Sequence, residues 1–316
     1  MSTLLARVRN DAGQAIVFIA VILTALCGMA ALVVDVGSWY QADRRLQTAA
    51  DAAALAGAQE LPLRQSTAKS TAEQYAQHNY PGIPTPTVTF PDAGTIDVVA
   101  KADTPGIFAK VLNDAFGVVT VHAEAQAAVR APELMKNVAP IAVKSTVACI
   151  VTNPNCFGQT LTVSFDESQI SSSAIGLIDL RCQAASSSVS CGGGPGGSIL
   201  ADWIDNGYGS PLPSNTWYDV KTGQTVGPID HALNDAANAG RALFFPVFDQ
   251  ADGPNSAFHV IGWAAFVIDR GGVSWGSQIK KLTGHFVTFI ATSLAAGNTL
   301  PSPDQDFGVH VITLTK

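Results

Sequence analysis

The sequence predicts an α+β protein with a single N-terminal membrane helix, an alanine-rich extension of that helix, a small strand-helix-strand module and a mainly β extracytoplasmic domain. Two observations lead to this prediction. Twenty consecutive residues without a charge, Ala15 to Val34, precede a segment dominated by alanine. Short apolar runs between loops rich in glycine, serine, asparagine and proline then recur through the C-terminal half, which is typical of β domains.

The apolar run from Ala15 to Val34 is long enough to cross a bilayer. At about 1.5 Å per residue it spans roughly 30 Å, the thickness of the hydrocarbon core. A cleaved secretory signal would be shorter and would have a small-residue cleavage site directly after it, whereas this run ends at Asp35. Positive charges are nearly balanced across the run, but four of the five cysteines follow it, which favours an oxidising compartment there. We therefore expect residues 1–12 to be cytoplasmic and the C-terminal part to be extracytoplasmic.

The membrane run continues into an alanine-rich helix, and we expect one helix over residues 13–60, ended by Pro62. Seven of the ten residues 49–58 are alanine, a strong helix former whose side chain is too small to build a large core. Small residues recur every four positions, the spacing at which helices pack backbone to backbone. They are Ala20, Thr24 and Gly28, and then Ala49, Ala53 and Gly57. The pattern predicts a closely packed neighbouring helix; the alternative is alanine richness without a packing role.

The sequence pattern of residues 61–130 predicts the small α+β module. Its expected elements are a polar helix over 66–79, a strand over 96–102, a short helix over 107–116 and a strand over 118–129. The last strand alternates apolar and polar residues, the period of a half-buried strand, and places His122 on the polar face.

Residues 131–316 predict the mainly β domain, with one helix over 227–241. The predicted strands of this domain are 161–165, 175–180, 243–248, 260–268, 286–290 and 309–314.

Four cysteines form an even set in the C-terminal domain, and Cys27 lies in the apolar run, where it serves as a small apolar residue. The four are Cys149, Cys156, Cys182 and Cys191. They permit three pairings, of which we favour the two local disulfides, Cys149 to Cys156 and Cys182 to Cys191. Zinc is the competing interpretation, but zinc sites usually have two ligands only two to four residues apart, and these spacings are wider.

One motif suggests catalysis. Residues 272–276, "GVSWG", match the G-x-S-x-G pattern that exposes the nucleophilic serine of α/β-hydrolases, here Ser274. Candidate partners follow at His285, Asp304, Asp306 and His310. That motif requires a strand running into it and a helix running out, and the parallel α/β alternation is missing here. We therefore expect no catalytic residue.

Two further motifs suggest metal binding. Asp166 and Ser168 fit the start of a D-x-S-x-S metal-ion adhesion loop, but Ile170 stands where its second serine belongs. Residues 249–253, "DQADG", offer carboxylate oxygens for calcium, yet the remaining ligands of an EF-hand loop are absent. We expect no metal, no cofactor and no small-molecule substrate. A net charge of −7 gives no basic footprint for nucleic acid.

Residues 13–59 carry a specific combination of features: a glycine before the membrane run, "VDVG" at 34–37, the aromatic pair Trp39 and Tyr40, and "RRLQTAADAAALAGA" from Arg44. This segment resembles the N-terminal segment of the TadE/TadG-like Flp pilus-assembly family. The stretch "DVVAKADTPGIFAKVLNDAFGVVTVHAEAQAAV" resembles the region that commonly follows in that family. Weaker similarity to longer family members continues through "WIDNG", "RALFFPVFDQ" and "HVIGWAAFVI".

The sequence departs from the relatives of this family in two ways. Pseudopilins that are cut after glycine usually carry glutamate five residues on, where Phe18 follows Gly13 here, so processing of this kind is not expected. Some TadG proteins carry a von Willebrand factor A domain, which the incomplete loop at Asp166 argues against.

Three functional hypotheses follow. The resemblance implies a non-enzymatic, single-pass membrane protein that supports assembly or envelope anchoring of Flp-type pili, with pilus-assembly membrane proteins or pilin-like subunits as partners. The second hypothesis is a membrane-anchored adhesive or wall-binding ectodomain without a role in pilus assembly. The third is a tethered hydrolase that uses Ser274.

Overall fold

The computed structural model describes residues 11–112, 117–150, 153–166, 173–189, 191–221, 226–252, 257–276, 279–291 and 306–316. Its helices are α1 (Asp11–Ala58), α2 (Gln65–Asn79), α3 (Ala109–Leu112), α4 (Gly197–Asp205) and α5 (Val226–Ala239). Its strands are β1 (Thr87–Asp92), β2 (Thr95–Pro105), β3 (Val118–Arg130), β4 (Leu134–Met135), β5 (Ile141–Lys144), β6 (Leu161–Asp166), β7 (Ile175–Ala184), β8 (Leu212–Pro213), β9 (Thr216–Lys221), β10 (Ala242–Asp252), β11 (Ala257–Trp275), β12 (Ile279–Val287), β13 (Phe289–Ile290) and β14 (Val309–Leu314). A long apolar helix followed by strand-rich structure confirms the predicted α+β class.

The helix α1 is a single element of 48 residues with two different environments. None of residues 15–34 is buried, whereas burial begins at Asp35 and becomes regular from Ala42 onward. The helix ends four residues before Pro62, as its missing N–H and rigid ring require. The sequence prediction of one continuous helix is therefore confirmed.

The first sheet has five strands in the order β1-β2-β3-β14-β13, and the upper half of α1 packs on it together with α2. Its inward residues are mostly alanine and valine, so helix and sheet approach closely. The members of this core include Leu46, Ala50, Ala53, Ala54, Ala68, Ala72, Ile96, Val98, Ala123, Ala125 and Ala127. The predicted alternation along β3 is confirmed: Ala123, Ala125 and Ala127 are buried and His122 is exposed.

The C-terminal strand β14 lies in this first sheet and not in the second, seven-stranded sheet, which is called the large sheet below. It pairs antiparallel with β3, from Val311 opposite Arg130 to Leu314 opposite Ala127. Val311 belongs to the core of the large sheet, while Ile312 packs against the alanine-rich core. Successive residues of a strand face opposite sides, so β14 contributes to both cores. The sequence predicts this strand as part of the β domain, because no local pattern reports a pairing partner that lies more than 180 residues earlier.

The second sheet has seven strands in the order β10-β5-β7-β9-β11-β12-β6. An additional pairing of β10 with β11 closes five of these strands into a ring, which removes their free edges. Phenylalanines and a tyrosine fill the interior: Phe165, Tyr218, Phe245, Phe248, Phe258, Phe266 and Phe286 are fully buried.

Several elements differ from the sequence predictions, among them the strands β5 and β9 of the second sheet, which were not predicted. Residues 79–94 contain four prolines and no predicted strand, yet they include β1, which lies at an edge of the first sheet, the position that tolerates proline in a strand. The helix α4 was missed, so the β domain has a second helix besides α5. The predicted strand 286–290 is divided, with Val287 ending β12 and Phe289 beginning β13 in the other sheet.

Candidate functional site: the junction of the membrane run with the first sheet

The apolar half of α1 projects from the rest of the chain. Residues 15–34 have no buried member, and side chains such as Leu23 and Val33 are 59% and 70% exposed. Within the described part of the chain, α1 is the one helix long and apolar enough to cross a membrane. An apolar helix exposed on every side is stable only in lipid or against other apolar helices, which fits a single-pass membrane protein.

Asp35 ends this exposed run and is itself 1% exposed. Its carboxylate accepts backbone N–H groups from three consecutive residues: Ile107 at 2.9 Å, Phe108 at 2.9 Å and Ala109 at 2.5 Å. These N–H groups lie at the start of α3, where a helix has donors without partners of its own. A carboxylate is favourable at a helix N-terminus, so Asp35 caps α3 from a distant element. The sequence analysis missed this role; the signal was an acid directly after the apolar run.

The β2–β3 hairpin runs alongside α1, and three contacts define its direction. At the far end, Gly57 of α1 lies against the side chain of Ile96 on β2. Midway, the side-chain amide of Gln47 donates to the backbone carbonyl of Glu124 on β3 at 3.0 Å. At the near end, Asp35 binds the loop at Ile107. The hairpin tip therefore points toward the apolar half of α1.

The lengths of these two elements agree. Gly57 and Asp35 are 22 positions apart on the helix, which corresponds to a length of about 33 Å at ~1.5 Å per residue. Ile96 and Ile107 are 11 positions apart along β2 and the residues after it, which corresponds to a length of about 36 Å at ~3.3 Å per residue in an extended chain. The loop after β2 is thus level with the end of the apolar run.

Aromatic and basic side chains surround this junction on α1. Tyr40 is 62% exposed, and Arg44 lies above its ring at 5.8 Å and donates to its hydroxyl at 3.3 Å. Trp39, on the preceding position, is half-buried. Tyrosine and tryptophan are enriched at membrane–water interfaces, because their rings are apolar and their tips are polar.

The predicted small-residue positions fall into two groups with different surroundings. Ala49 and Ala53 are fully buried within the chain. A Cβ added at Gly57 would lie 2.5 Å from Ile96 Cδ1, 2.9 Å from the carbonyl oxygen of Ala68 and 3.1 Å from the Ala72 Cβ. The close neighbours of this half are therefore α2 and the first sheet of the same chain.

The second group lies in the membrane run. Ala20, Thr24 and Gly28 are all exposed, and a Cβ added at Gly28 would contact nothing within 4 Å. The Thr24 hydroxyl donates to the carbonyl of Ala20 at 2.8 Å, so its polar group has a partner within the helix. Among the described residues, no other element of the chain covers this group.

The four C-terminal cysteines form two local disulfides in the structure, Cys149–Cys156 and Cys182–Cys191, with Cα–Cα distances of 5.7 and 5.8 Å. The first closes a turn that includes the short 3₁₀ helix Pro154–Cys156. The second closes the segment that follows β7. Cys27 is a free, exposed thiol on the membrane run.

Ser274 does not lie in a nucleophile elbow. It is inside β11 and pairs with Lys281 of β12, so an antiparallel strand follows it in place of a helix. Two of its proposed partners are bonded to aspartates: His285 to Asp269 at 3.0 Å and His310 to Asp306 at 2.7 Å. Asp304 lies outside the described residues. The arrangement lacks the geometry that the motif requires.

The proposed metal loops give no site in the described residues. Asp166 ends β6, and Ser168 and Ile170 lie outside the described part of the chain. Asp249 forms a hydrogen bond with His259 Nδ1 at 2.8 Å, while Gly253 is again outside it. Among the described residues, no three side chains of His, Cys, Asp or Glu are grouped as metal ligands.

Two residues of the large sheet have pKa values raised above their ordinary values. Burial raises the pKa of Tyr218, which is fully buried on β9 and donates its hydroxyl to the carbonyl of Pro213 at 2.8 Å. The hydrogen bond to Asp179 raises the pKa of the exposed Arg181 guanidinium. Both groups keep their ordinary protonation state at neutral pH, which suits structural roles.

Comparison with known proteins agrees with the geometry of α1. Residues 13–60 match the model of the TadE/G-like Flp pilus-assembly family, which confirms the resemblance of this segment. No curated protein and no solved structure matches the chain. The family is a pilus-assembly family and not an enzyme family, so the match supports a role related to pilus assembly.

Proposed function

We propose that this chain is a non-enzymatic, single-pass membrane protein that supports assembly or envelope anchoring of Flp/Tad-type pili. The observation that carries the proposal is the family match at residues 13–60, which spans the membrane run and its alanine-rich extension and little else. The unit shared with the family is therefore the anchor together with the helix that leads out of the membrane. The strand-rich remainder is what this anchor presents.

The proposed topology places residues 1–12 in the cytoplasm and both sheets on the extracytoplasmic side. The two disulfides support this orientation, because such bonds persist in oxidising compartments. We propose the anchor helix at 13–60, a small α+β module at 61–130 and a mainly β ectodomain at 131–316. The strand β14 then returns from the ectodomain to complete the sheet of the small module.

The proposed partners are other membrane proteins of pilus assembly or pilin-like subunits, bound through the membrane run. The face at Ala49, Ala53 and Gly57 is occupied by the chain's own elements, which leaves Ala20, Thr24 and Gly28 for another helix. Small residues at this spacing let two membrane helices approach closely.

Counting surface pili by electron microscopy tests the proposal, in a strain lacking this chain and in the same strain with a restored copy. We expect pili to be lost and then recovered. Normal pilus numbers in the deletion strain would contradict the proposal and would favour an anchored binding domain.

A pair of variants then tests the partner face. Gly28→Leu adds bulk on the small-residue face, where the chain itself offers no obstacle, and should restore few pili. The matched control Val33→Leu lies on the opposite side of the helix from Thr24, is 70% exposed and should restore pili fully. Equal restoration by both variants would argue against this face.

A further inference from the structure

We propose that residues 106–109, which directly follow β2, dip into the membrane interface, so that Ile107 and Phe108 contact lipid at the surface that α1 crosses. This inference rests on the proposed function in one respect, namely that α1 spans the membrane. It adds a second membrane contact, made by the small α+β module, on the chain segment 106–109.

The first argument is exposure. Ile107 is 62% exposed and Phe108 is 44% exposed, although both are large apolar side chains. Val118, which pairs with Pro105 at the base of the same hairpin tip, is 57% exposed. A group of apolar side chains at the tip of a hairpin is costly in water, because each would gain free energy on leaving it.

The second argument is position. Val34 is the last residue of the uncharged run, and Asp35 directly after it holds the backbone of Ile107, Phe108 and Ala109. When residues 15–34 fill the hydrocarbon core, Asp35 lies at its boundary. Its hydrogen bonds then place the loop at that same boundary, and a carboxylate satisfied by three N–H groups is suited to a position with little water.

The third argument is the distribution of polar groups on the hairpin. Asp103 and Thr120 lie opposite each other, two register positions behind Pro105 and Val118 as seen from the tip, and they are hydrogen-bonded at 2.6 Å and exposed. Lys110 is exposed on the other side of the apolar pair, where its cation can reach lipid phosphate groups. Apolar residues at the tip, with an exposed polar pair two register positions behind them, match the change from hydrocarbon to water at a bilayer surface.

These arguments select lipid as the occupant. The apolar tip is continuous with the lipid-facing surface of α1, since Asp35, the one charged residue between them, is buried beneath the loop. Two membrane contacts also restrict how the small α+β module tilts relative to the membrane. The alanine-rich helix is then held at a set angle, which suits a protein that must align with its neighbours.

A lipid-quenching experiment on the full-length chain tests the inference. The chain is reconstituted into vesicles of phosphatidylcholine and phosphatidylglycerol with brominated acyl chains, and carries an environment-sensitive fluorophore on one cysteine. The test site is Ile107→Cys in a Cys27→Ala background. The matched control is Ala93→Cys in the same background, an exposed position in the β1–β2 turn at the far end of the hairpin. A third sample carries the fluorophore on native Cys27.

We expect the probe at position 107 to be quenched several-fold more by brominated lipid than the probe at 93, and to be protected from aqueous iodide. Quenching at Cys27 without quenching at 107, or equal quenching at 107 and 93, would overturn the inference while the membrane role of α1 stands. Absence of quenching at Cys27 would instead overturn the spanning helix, and with it both proposals.

Discussion

The carboxylate of Asp35 accepts the backbone N–H of Phe108 at 2.9 Å, across 73 positions of sequence. This bond joins the last turn of the membrane run to the tip of the β2–β3 hairpin. Ile107 and Ala109 donate to the same carboxylate, so three backbone donors together fix the orientation of this segment relative to α1. The position of the first sheet along α1 is thereby coupled to one residue of that helix.

Replacement of Asp35 by alanine should destabilise the hairpin tip. Alanine is a better helix former than aspartate, so α1 itself does not suffer. The loss comes from three N–H groups left without their acceptor, and we expect about 2–3 kcal/mol in the free energy of unfolding. Asp35→Asn keeps one acceptor oxygen and should lose less. Hydrogen exchange of the amides of residues 107–109 provides the measurement, and these amides should exchange faster in Asp35→Ala.

The matched control for this experiment is Asp43→Ala, two turns further along α1 at an exposed position. It removes the same charge from the same helix without removing the cap. We expect unchanged protection of residues 107–109. If both variants accelerated exchange equally, the effect would come from helix charge and not from capping.

Replacement of Gly57 by alanine should destabilise the packing of α1 on α2 and the first sheet. The new methyl group would lie 2.5 Å from Ile96 Cδ1 and 2.9 Å from the carbonyl oxygen of Ala68, and a backbone atom cannot move aside cheaply. Overpacking of this kind costs about 1–3 kcal/mol. Urea unfolding of the detergent-solubilised chain measures it.

Gly37→Ala is the control for this prediction, because a Cβ there would contact nothing within 4 Å. It should be neutral or stabilising by about 0.5–1 kcal/mol through helix propensity. Adding Ile96→Val to Gly57→Ala removes the closest clashing atom, so the double variant should lose less than the sum of the two single losses. Simple additivity would contradict the proposed contact.

Stability should decline at high pH through Tyr218. Its pKa in the folded protein is raised above the ordinary value of 10.0, so the unfolded chain releases this proton first as pH rises. The folded state then binds more protons than the unfolded one. Stability present below pH 10.0 is therefore lost above it, by up to about 1.4 kcal/mol per pH unit.

The variant Tyr218→Phe isolates this contribution. Near neutral pH it should be less stable by about 1 kcal/mol, because the carbonyl of Pro213 loses its donor. Above about pH 10 the gap between wild type and variant should shrink, since only the wild type has this group to titrate. Unfolding titrations from about pH 8 to 11 measure the gap, and a constant gap would refute the role of Tyr218.

Thiol labelling should distinguish Cys27 from the other four cysteines. Under denaturing conditions without reductant, the oxidised chain should take up one label, and after reduction five. Mass spectrometry of the labelled protein gives the count. Digestion should also yield a peptide linking Cys182 to Cys191, and a peptide linking Cys156 to Cys182 would show a different connectivity.

The candidate site was only partly predictable from sequence. The apolar run, the aromatic pair and the small residues are local patterns, and they identified the candidate membrane helix and its family resemblance. The role of Asp35 depends on residues 107–109, whose position is set by a hairpin that packs along the helix. No local pattern reports such a contact.

The sequence alone determined the continuous helix α1, the alternating strand β3 and the long apolar run of residues 15–34. Each follows from helix propensity, side-chain period or hydrophobicity, properties that neighbouring residues express together. Only the tertiary structure decided that Ala53 and Gly57 face α2 and the first sheet, that β14 joins β3, and that Asp35 holds Phe108. These are pairings between distant segments, and many partners would satisfy the same local pattern, so the partner is selected only when the whole chain packs.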